Sequence, residues 1–509
     1  MINPIHNYLK GEIMTFNRIS KSQYLRGLQC PKSLWYYRHR PDLAPEISDS
    51  QQALFDAGHE VGELAKKYFD GGVEITEDYF AIDQAIASTQ KAINDGQMVI
   101  FEATAESPDG AFSRIDILKK VDDSDAWDLI EVKMSSEVKP YHYDDMTLQR
   151  YAFSGAGYKI RNSILMHINN QYVRNGDIDP SALFTLEDCT EQVVGKLNDV
   201  GDNIVELLGI LNNDQEPLIV PGDHCGKPFT CDYIDHCWPE KKDQTVYKLF
   251  RSGWKLNNLL AQNITRIEDV PDHIKMTERE QIAVQSAKSN QVHKDTQKIQ
   301  NFLDTLEYPL YFLDYETIGL NNPVPLFDQS RPYQQIPFQF SLHIQAIKNG
   351  PVEHIEFLHT EKTDPRPDLI RKLIDNCGEK GSVVVYNQGF ESRIHNEMAR
   401  DFPAFKTDLD NITARMVDIM SPFRSRYLYH PDLKCSFSIK KVLPAFVPEM
   451  SYDNLAIGDG GTASQLYLNC LKGTIPPEEQ KKIFDNLRIY CGQDTLAEVK
   501  LLEVMYGLI

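Results

Sequence analysis

The stretch Leu310-Tyr-Phe-Leu-Asp-Tyr-Glu-Thr317 decides how the C-terminal part of the chain is read. It is rich in aromatic and apolar residues, which predicts a buried strand. Side chains alternate along a strand, so Asp314 and Glu316 point to the same face. Two carboxylates side by side on a mostly apolar strand repel one another and lose hydration. A divalent cation between them relieves both costs.

Further acids follow in an ordered way. Ser382-Val-Val-Val-Tyr386 reads as a second strand and leads into Asn387-Gln-Gly-Phe-Glu391, placing a third acid after a glycine-containing turn. Pro476-Pro-Glu-Glu479 reads as a helix start, with Pro in the first turn and acids at the positive end of the dipole. The apolar stripe of that helix runs through Ile483, Leu487, Tyr490, Ala497, Leu501 and Val504, and Asp494 falls on it. Tyr490, four residues earlier, shares its face. Asp-x-Glu on a strand, an acid after a second strand and Tyr-x-x-x-Asp on a last helix resemble, in that order, the tyrosine-bearing DEDD class of DnaQ-like exonucleases. The resemblance implies an RNase H-like mixed sheet and a 3′–5′ exonuclease. Asp314, Glu316, Glu391 and Asp494 would hold two Mg²⁺ or Mn²⁺ ions, and Tyr490 would orient the attacking water. The family usually has Asp where Glu391 stands; Asp418, in Arg415-Met-Val-Asp-Ile419, is a second candidate for that place.

A separate constellation lies in the N-terminal half. Phe112-Ser-Arg-Ile-Asp-Ile-Leu118 and Trp127-Asp-Leu-Ile-Glu-Val-Lys133 read as a β-hairpin joined by the polar segment Lys119 to Ala126. Asp116 lies on the first strand, and Glu131 and Lys133 share one face of the second. An acid pair can bind Mg²⁺, and an adjacent Lys can position or deprotonate water. This Asp-(x14)-Glu-x-Lys arrangement resembles the PD-(D/E)XK, restriction-endonuclease-like nuclease core. Gln149 fits the glutamine-bearing helix of RecB-like nucleases. Upstream, Gly58-His-Glu-Val-Gly-Glu63 offers His59, Glu60 and Glu63 as metal ligands, although the family's usual His position falls on Gly62.

Five of the nine cysteines are scattered singly, and the remaining four form a pattern. Cys225, Cys231 and Cys237 are evenly spaced, and Cys30 stands far upstream. Four thiolates can bind a [4Fe–4S] cluster. The paired Cys spacing of a zinc ribbon does not occur, but His224 and His236 flank the triplet, so zinc is the alternative. The pattern resembles iron–sulfur RecB-like nucleases, in which a cluster ties the two ends of the domain together; Ser20 to Trp35 resembles their opening.

At 509 residues the chain is long enough for two or three domains. The pattern places a RecB-like domain at 15–240, a helical connector at 241–308 and a DnaQ-like domain at 309–509, all within an α/β multidomain class. The combination is similar to a bacterial family described only as a domain of unknown function, with Arg331 to Ser341 carrying part of the likeness. Hydrophobic residues make up 41% and charged residues 25%, which fits a globular protein. The apolar runs are too short to span a bilayer, and Met1 to Glu12 is polar, so no membrane association and a cytoplasmic location are expected.

The net charge of −21 argues against coating nucleic acid non-specifically, but a nuclease site is itself acidic. Basic stretches at Arg18–Arg40 and Arg415–Lys441 are candidate nucleic-acid contacts, and Tyr311, Tyr315, Phe338 and Phe340 a candidate base-stacking platform. The expectation is a metal-dependent nuclease acting on nucleic acid, DNA before RNA, in end processing, repair or defence. The alternative is a nucleic-acid-binding or scaffold protein with degenerate sites.

Overall fold

A computed structural model describes residues 16–238, 245–250 and 253–509. The polar tail Met1 to Glu12 and the boundary near 240–241 lie outside the described residues. The chain divides into two compact units, both mixed α/β. One comprises the described residues up to 238 with Asn321–Leu326 and Arg331–Tyr333; the other takes the remaining residues from 245 onward.

The first unit is built on β1 (Ile19–Ser20), β2 (Val73–Glu74), β3 (Val99–Glu106), β4 (Ala111–Lys120), β5 (Ala126–Lys133), β6 (Lys159–Ile168) and β7 (Phe184–Asp188). Their order is β2-β3-β4-β5-β6-β7, with β1 beside β4. β3, β4 and β5 form an antiparallel meander, whereas β5 and β6 run parallel. A parallel pair needs a crossover, which is the helix Pro140–Gly155. Both faces of the sheet are covered. Val61 and Ala65 of the helix Asp49–Lys66 pack with Phe101, Ile117 and Ile130 on one face. Phe153 of the crossover helix packs with Ile100, Ile115 and Leu129 on the other.

The second unit contains β8 (His293–Lys294), β9 (Leu310–Ile318), β10 (Ile336–Gln345), β11 (Val352–Leu358), β12 (Val383–Val385), β13 (Met416–Asp418) and β14 (Leu428–Tyr429). The main sheet has the order β11-β10-β9-β12-β13. β9, β10 and β11 are antiparallel, and β12 runs parallel to both β9 and β13. The stretch read from sequence as a helical connector holds short helices such as Glu278–Ser289 and Thr296–Leu303, but also β8, which pairs with β14.

Alternation along β9 sorts its residues as the pattern demands. Tyr311, Leu313 and Tyr315 join Phe340 and Leu342 in an apolar core with the helices Arg366–Asn376 and Gln388–Asp401. Asp314 and Glu316 face the other way, paired in register with Ser341 and Gln339. The closing helix, Pro477–Tyr506, covers that polar face: Gln339 Nε2 donates to the Leu487 carbonyl at 3.0 Å, and Ser341 Oγ lies 2.6 Å from Thr495 Oγ1. No helix of the described residues is long and apolar enough to cross a membrane.

Candidate metal centres

In the second unit, β9 supplies Asp314 and Glu316, the first turn of Gln388–Asp401 supplies Glu391, and the closing helix supplies Tyr490 and Asp494. Glu316, Glu391, Tyr490 and Asp494 are buried, and Asp314 is half-buried. The structure brings these acids together: the charge of Asp494 bears on Asp314, and that of Asp314 on Glu316 and Glu391. Burial, then Asp494, pushes Asp314 well above the usual carboxylate range; burial, then Asp314 and Asp494, does the same to Glu316. Glu391 is pushed up to about 9 by burial and by Asp314. Asp494 rises to about 6 through burial, restrained by a hydrogen bond from Tyr452 and by the Lys440 charge.

Several members of this site carry no obvious sequence signal. Tyr452 donates its hydroxyl to Asp494 Oδ1 at 2.6 Å and packs edge-on to Tyr490, ring centroids 6.2 Å apart. Lys440 donates to the Gly458 carbonyl at 2.8 Å and lies over the Tyr452 and Tyr490 rings at 5.7 and 5.2 Å. Its charge favours ionisation of Asp314, Glu316 and Asp494. Cys491 sits beneath: among the described residues, Asp314, Glu316 and Cys491 are the group that brings three candidate ligand atoms within 4.8 Å of one another. Glu498, one helical turn beyond Asp494, is also buried; its spacing from Asp494 was the one signal that could have found it.

The chemistry of this donor set fits divalent cations. Glu391 Oε2 and both Glu498 carboxylate oxygens are buried without a hydrogen-bond partner. Unpaired carboxylates in a low-dielectric site are costly unless protonated or neutralised. Asp418, the second candidate for the Glu391 place, is occupied otherwise. Its Oδ1 accepts the Asn387 and Met420 amides at 3.2 and 3.0 Å, and Arg424 approaches its Oδ2 at 3.3 Å. The stacking-platform candidates Tyr311, Tyr315, Phe338 and Phe340 are all buried, because they point from the central strands into packed layers.

The first unit gathers its predicted residues too, under different electrostatics. The β4–β5 ladder ends at Ile117↔Ile130, and there Asp116 Oδ2 accepts the Val132 N–H at 2.6 Å. Glu131 Oε1 accepts Lys21 at 2.8 Å and Lys133 at 2.5 Å, while Gln149 donates to its Oε2 at 2.5 Å. Asp145, four residues before Gln149 on the crossover helix, takes Lys133 at 2.7 Å and Lys21 at 3.3 Å. Burial would raise Glu131, but the two ammonium groups outweigh it and hold it below the carboxylate range. Burial would likewise lower Lys133 and Lys21, but the acids around them raise both. Asp116 stands well above its usual value through burial and the Glu131 charge.

Glu102, skipped in the β3–β4 register between Phe101↔Ile117 and Ala103↔Ile115, has φ +57°, a left-handed backbone costly for a non-glycine residue. His59, Glu60 and Glu63 are exposed on their helix, and Glu63 pairs with Lys66 at 2.7 Å. A side chain added at Gly62 would meet open space.

The basic stretch Arg18–Arg40 is spent within its own unit rather than presented as a patch. Arg18 pairs with Asp83 and Glu106, Lys21 with Glu131 and Asp145, Arg26 with Asp232, Lys32 with Glu216, and Arg40 with Asp42. In the other basic stretch Arg415 donates to carbonyls of the 377–381 loop. Lys434 and Lys441 are exposed.

Cys30, Cys225, Cys231 and Cys237 line a single pocket with Ser33, Ile219, His224, Tyr233 and Ile234. Cys30 sits at the junction of the helices Lys21–Gln29 and Pro31–His39. Gln29 Nε2 reaches across to the His224 and Phe229 carbonyls at 2.8 and 2.7 Å, fixing that junction to the triplet loop. Cys231 Sγ lies 3.4 Å from Ser33 Oγ, and Cys225 Sγ 3.6 Å from His224 Nε2. His236 instead packs edge-on to Tyr36, centroids 5.3 Å apart. Burial raises the Cys30 and Cys237 thiols.

Comparison with known proteins gives a family likeness without an activity. Residues 311–438, spanning β9 to the loop before Lys440, match the family described as "Domain of unknown function (DUF2779)". The chain is 26% identical over 234 residues to "Uncharacterized protein UU173" of Ureaplasma parvum serovar 3, covering 42% of this chain and 33% of that one. It is 26% identical over 233 residues to "Uncharacterized protein MG366" of Mycoplasma genitalium, covering 42% and 34%. The matches thus span about a third of the length of these curated relatives. No solved structure matches significantly. Over residues 311–438 the chain is therefore similar to the DUF2779 family, and the rest of the molecule has to be read from its own residues.

Proposed function

We propose that the protein is a metal-dependent nuclease whose C-terminal unit removes nucleotides from 3′ ends. The observation that carries this reading is the convergence of Asp314, Glu316, Glu391 and Asp494 from three elements, with Glu391 Oε2 buried and without a partner. The sheet order β11-β10-β9-β12-β13, antiparallel on one side of β9 and parallel on the other, supports an RNase H-like assignment for this unit. Two divalent cations, when bound, would stabilise the incoming and leaving oxygens of an in-line phosphodiester displacement. The four acids would hold them. Tyr490 keeps its proton, since burial and the neighbouring acids push the phenol far up, and its hydroxyl can therefore donate to an attacking water. Tyr452 fixes the rotamer of Asp494, and Lys440 places a positive charge at the edge of the site.

In the first unit, the meander β3-β4-β5, the crossover helix and parallel β6 support a PD-(D/E)XK-like core. Asp116, Glu131 and Lys133 would carry that chemistry, with Gln149 holding Glu131. The closure of Glu131 and Asp145 by Lys21 and Lys133 favours a second reading for this unit, a nucleic-acid-binding module without cleavage. Its four thiols, which line one pocket, would hold a [4Fe–4S] cluster, with zinc the alternative.

The test is digestion of end-labelled single- and double-stranded DNA and RNA with Mg²⁺ or Mn²⁺. Asp314→Ala should abolish stepwise 3′ shortening; an Asp314→Ala protein as active as wild type refutes the exonuclease. A product pattern lost only in Asp116→Ala assigns cleavage to the first unit, and no change there makes that unit a binding module. For the cysteine pocket, anaerobic purification should give a brown protein whose visible absorbance is lost in Cys231→Ser. A colourless, zinc-loaded wild type would reject the cluster.

A further inference from the structure

Four carboxylates complete the site as the resemblance draws it, but the structure places a fifth among them. Glu498 follows Asp494 by four residues on the helix Pro477–Tyr506, so both project from one face. It is 0% exposed, and no side chain donates a hydrogen bond to either of its carboxylate oxygens. The charges of Asp314, Glu391 and Asp494 bear on it, and the Tyr386 backbone amide opposes them. Glu391, 1% exposed, has an unpartnered Oε2 of its own. Two buried acids, both within the influence of the Asp314 charge, thus carry carboxylate oxygens that no side chain satisfies.

We propose that Glu498 is a ligand of the second divalent cation, together with Glu391 and Asp314. The inference rests on the two-metal reading above and deepens it. Asp314 is the acid common to both halves of the site. Its charge bears on Glu316 on one side and on Glu391 and Glu498 on the other. One cation position is then bounded by Asp314, Glu316 and Asp494, the other by Asp314, Glu391 and Glu498. This gives the longer Glu391 side chain a physical setting. Its carboxylate does not have to reproduce the reach of an Asp alone, because Glu498 supplies oxygens from the opposite element. Both glutamates also offer an unpartnered oxygen, as hard-cation ligands must.

Binding can be measured without turnover. The full chain, carrying Asp116→Asn to silence the first unit, is titrated with Mn²⁺ by calorimetry and by electron paramagnetic resonance. The parent should take up two ions with the spin coupling of a close pair. Glu498→Gln, which keeps the side-chain shape, should retain one ion, weaken the other by at least about tenfold and lose the coupling signal. Glu391→Gln should lose the same ion. Melting in EDTA checks the fold: Glu498→Gln should melt no lower than the parent, because the amide keeps the shape of the carboxyl and an oxygen that can accept a hydrogen bond, and cannot ionise in the buried site. If Glu498→Gln binds both ions as the parent does, Glu498 is a structural acid and the inference is overturned while the exonuclease reading stands. If the parent binds no divalent cation at all, the two-metal reading fails with it.

Discussion

The two carboxylate clusters of this chain are built from similar side chains and arrive at opposite electrostatic states. In the first unit Lys21 and Lys133 sit between Glu131 and Asp145, and Glu131 is held ionised. In the second, Asp314, Glu316, Glu391 and Glu498 are all pushed upward by burial and by one another, with Lys440 the cationic side chain described at the edge. Acids close together in low dielectric must be neutralised, and the source of the neutralising charge sets what the cluster can do. A tethered ammonium gives a closed, folded-in pair. An external cation leaves the cluster dependent on its surroundings and able to exchange ligands.

That contrast makes its largest prediction about stability, where the two clusters should respond with opposite signs. Glu131→Gln leaves two half-buried ammonium groups sharing Asp145 alone, and weakening such a cluster should cost on the order of 1 to 3 kcal/mol. Asp314→Asn relieves repulsion in the metal-free protein and should be neutral to stabilising at pH 8. Urea denaturation in EDTA, followed separately for each unit, compares them directly. Equal losses for both substitutions would dissolve the distinction. Saturating Mn²⁺ should raise the melting temperature of the wild-type second unit but not that of Asp314→Asn, since only a ligand that prefers the folded site stabilises it.

Sequence pattern reached the parts of these sites that lie on regular elements. Alternation in Leu310 to Thr317 separated the acids from Tyr311, Leu313 and Tyr315, and the structure keeps that division. Pro477 and the acids behind it marked the start of the last helix. What pattern missed arrives from distant elements or from a spacing not pursued. Lys21 meets Glu131 across 110 residues of chain, a contact that no local periodicity encodes. Asp145 and Glu498 each lie one turn from an identified residue, Gln149 and Asp494, and the same i,i+4 rule that linked Tyr490 to Asp494 would have reached them. The basic run Arg18–Arg40 looked like a surface patch because its acidic partners lie elsewhere in the chain, from Asp42 to Asp232. Charge along a sequence says nothing about which charges have found a partner.

The smaller prediction sharpens the comparison through pH. A carboxylate whose folded pKa is raised binds its proton more tightly in the native state than in the unfolded one. Stability therefore falls as pH rises from the unfolded value to the folded one. Asp494 at about 6 and Glu391 at about 9 place that loss between roughly pH 4 and 9. In EDTA the second unit should lose on the order of 1 kcal/mol per pH unit over this range. The first unit runs the other way. Glu131 is depressed, so its contribution is complete above the ordinary carboxylate pKa and disappears only as pH falls through the lower folded value. Lys21 and Lys133 are raised, so theirs is complete below the ordinary Lys value and fades only above it. Asp116, raised by burial and the Glu131 charge, is the member of that cluster that follows the sign of the second unit, so between pH 6 and 9 the first unit should show the shallower slope. Saturating Mn²⁺ should flatten or reverse the slope of the second unit alone, because a bound cation holds the acids ionised and competes with protons. Denaturation midpoints at pH 6, 7, 8 and 9, with and without Mn²⁺, read both slopes in one protein. A second unit equally stable at every pH in EDTA would mean that its acids find their counter-charge within the fold, as Glu131 of the first unit does.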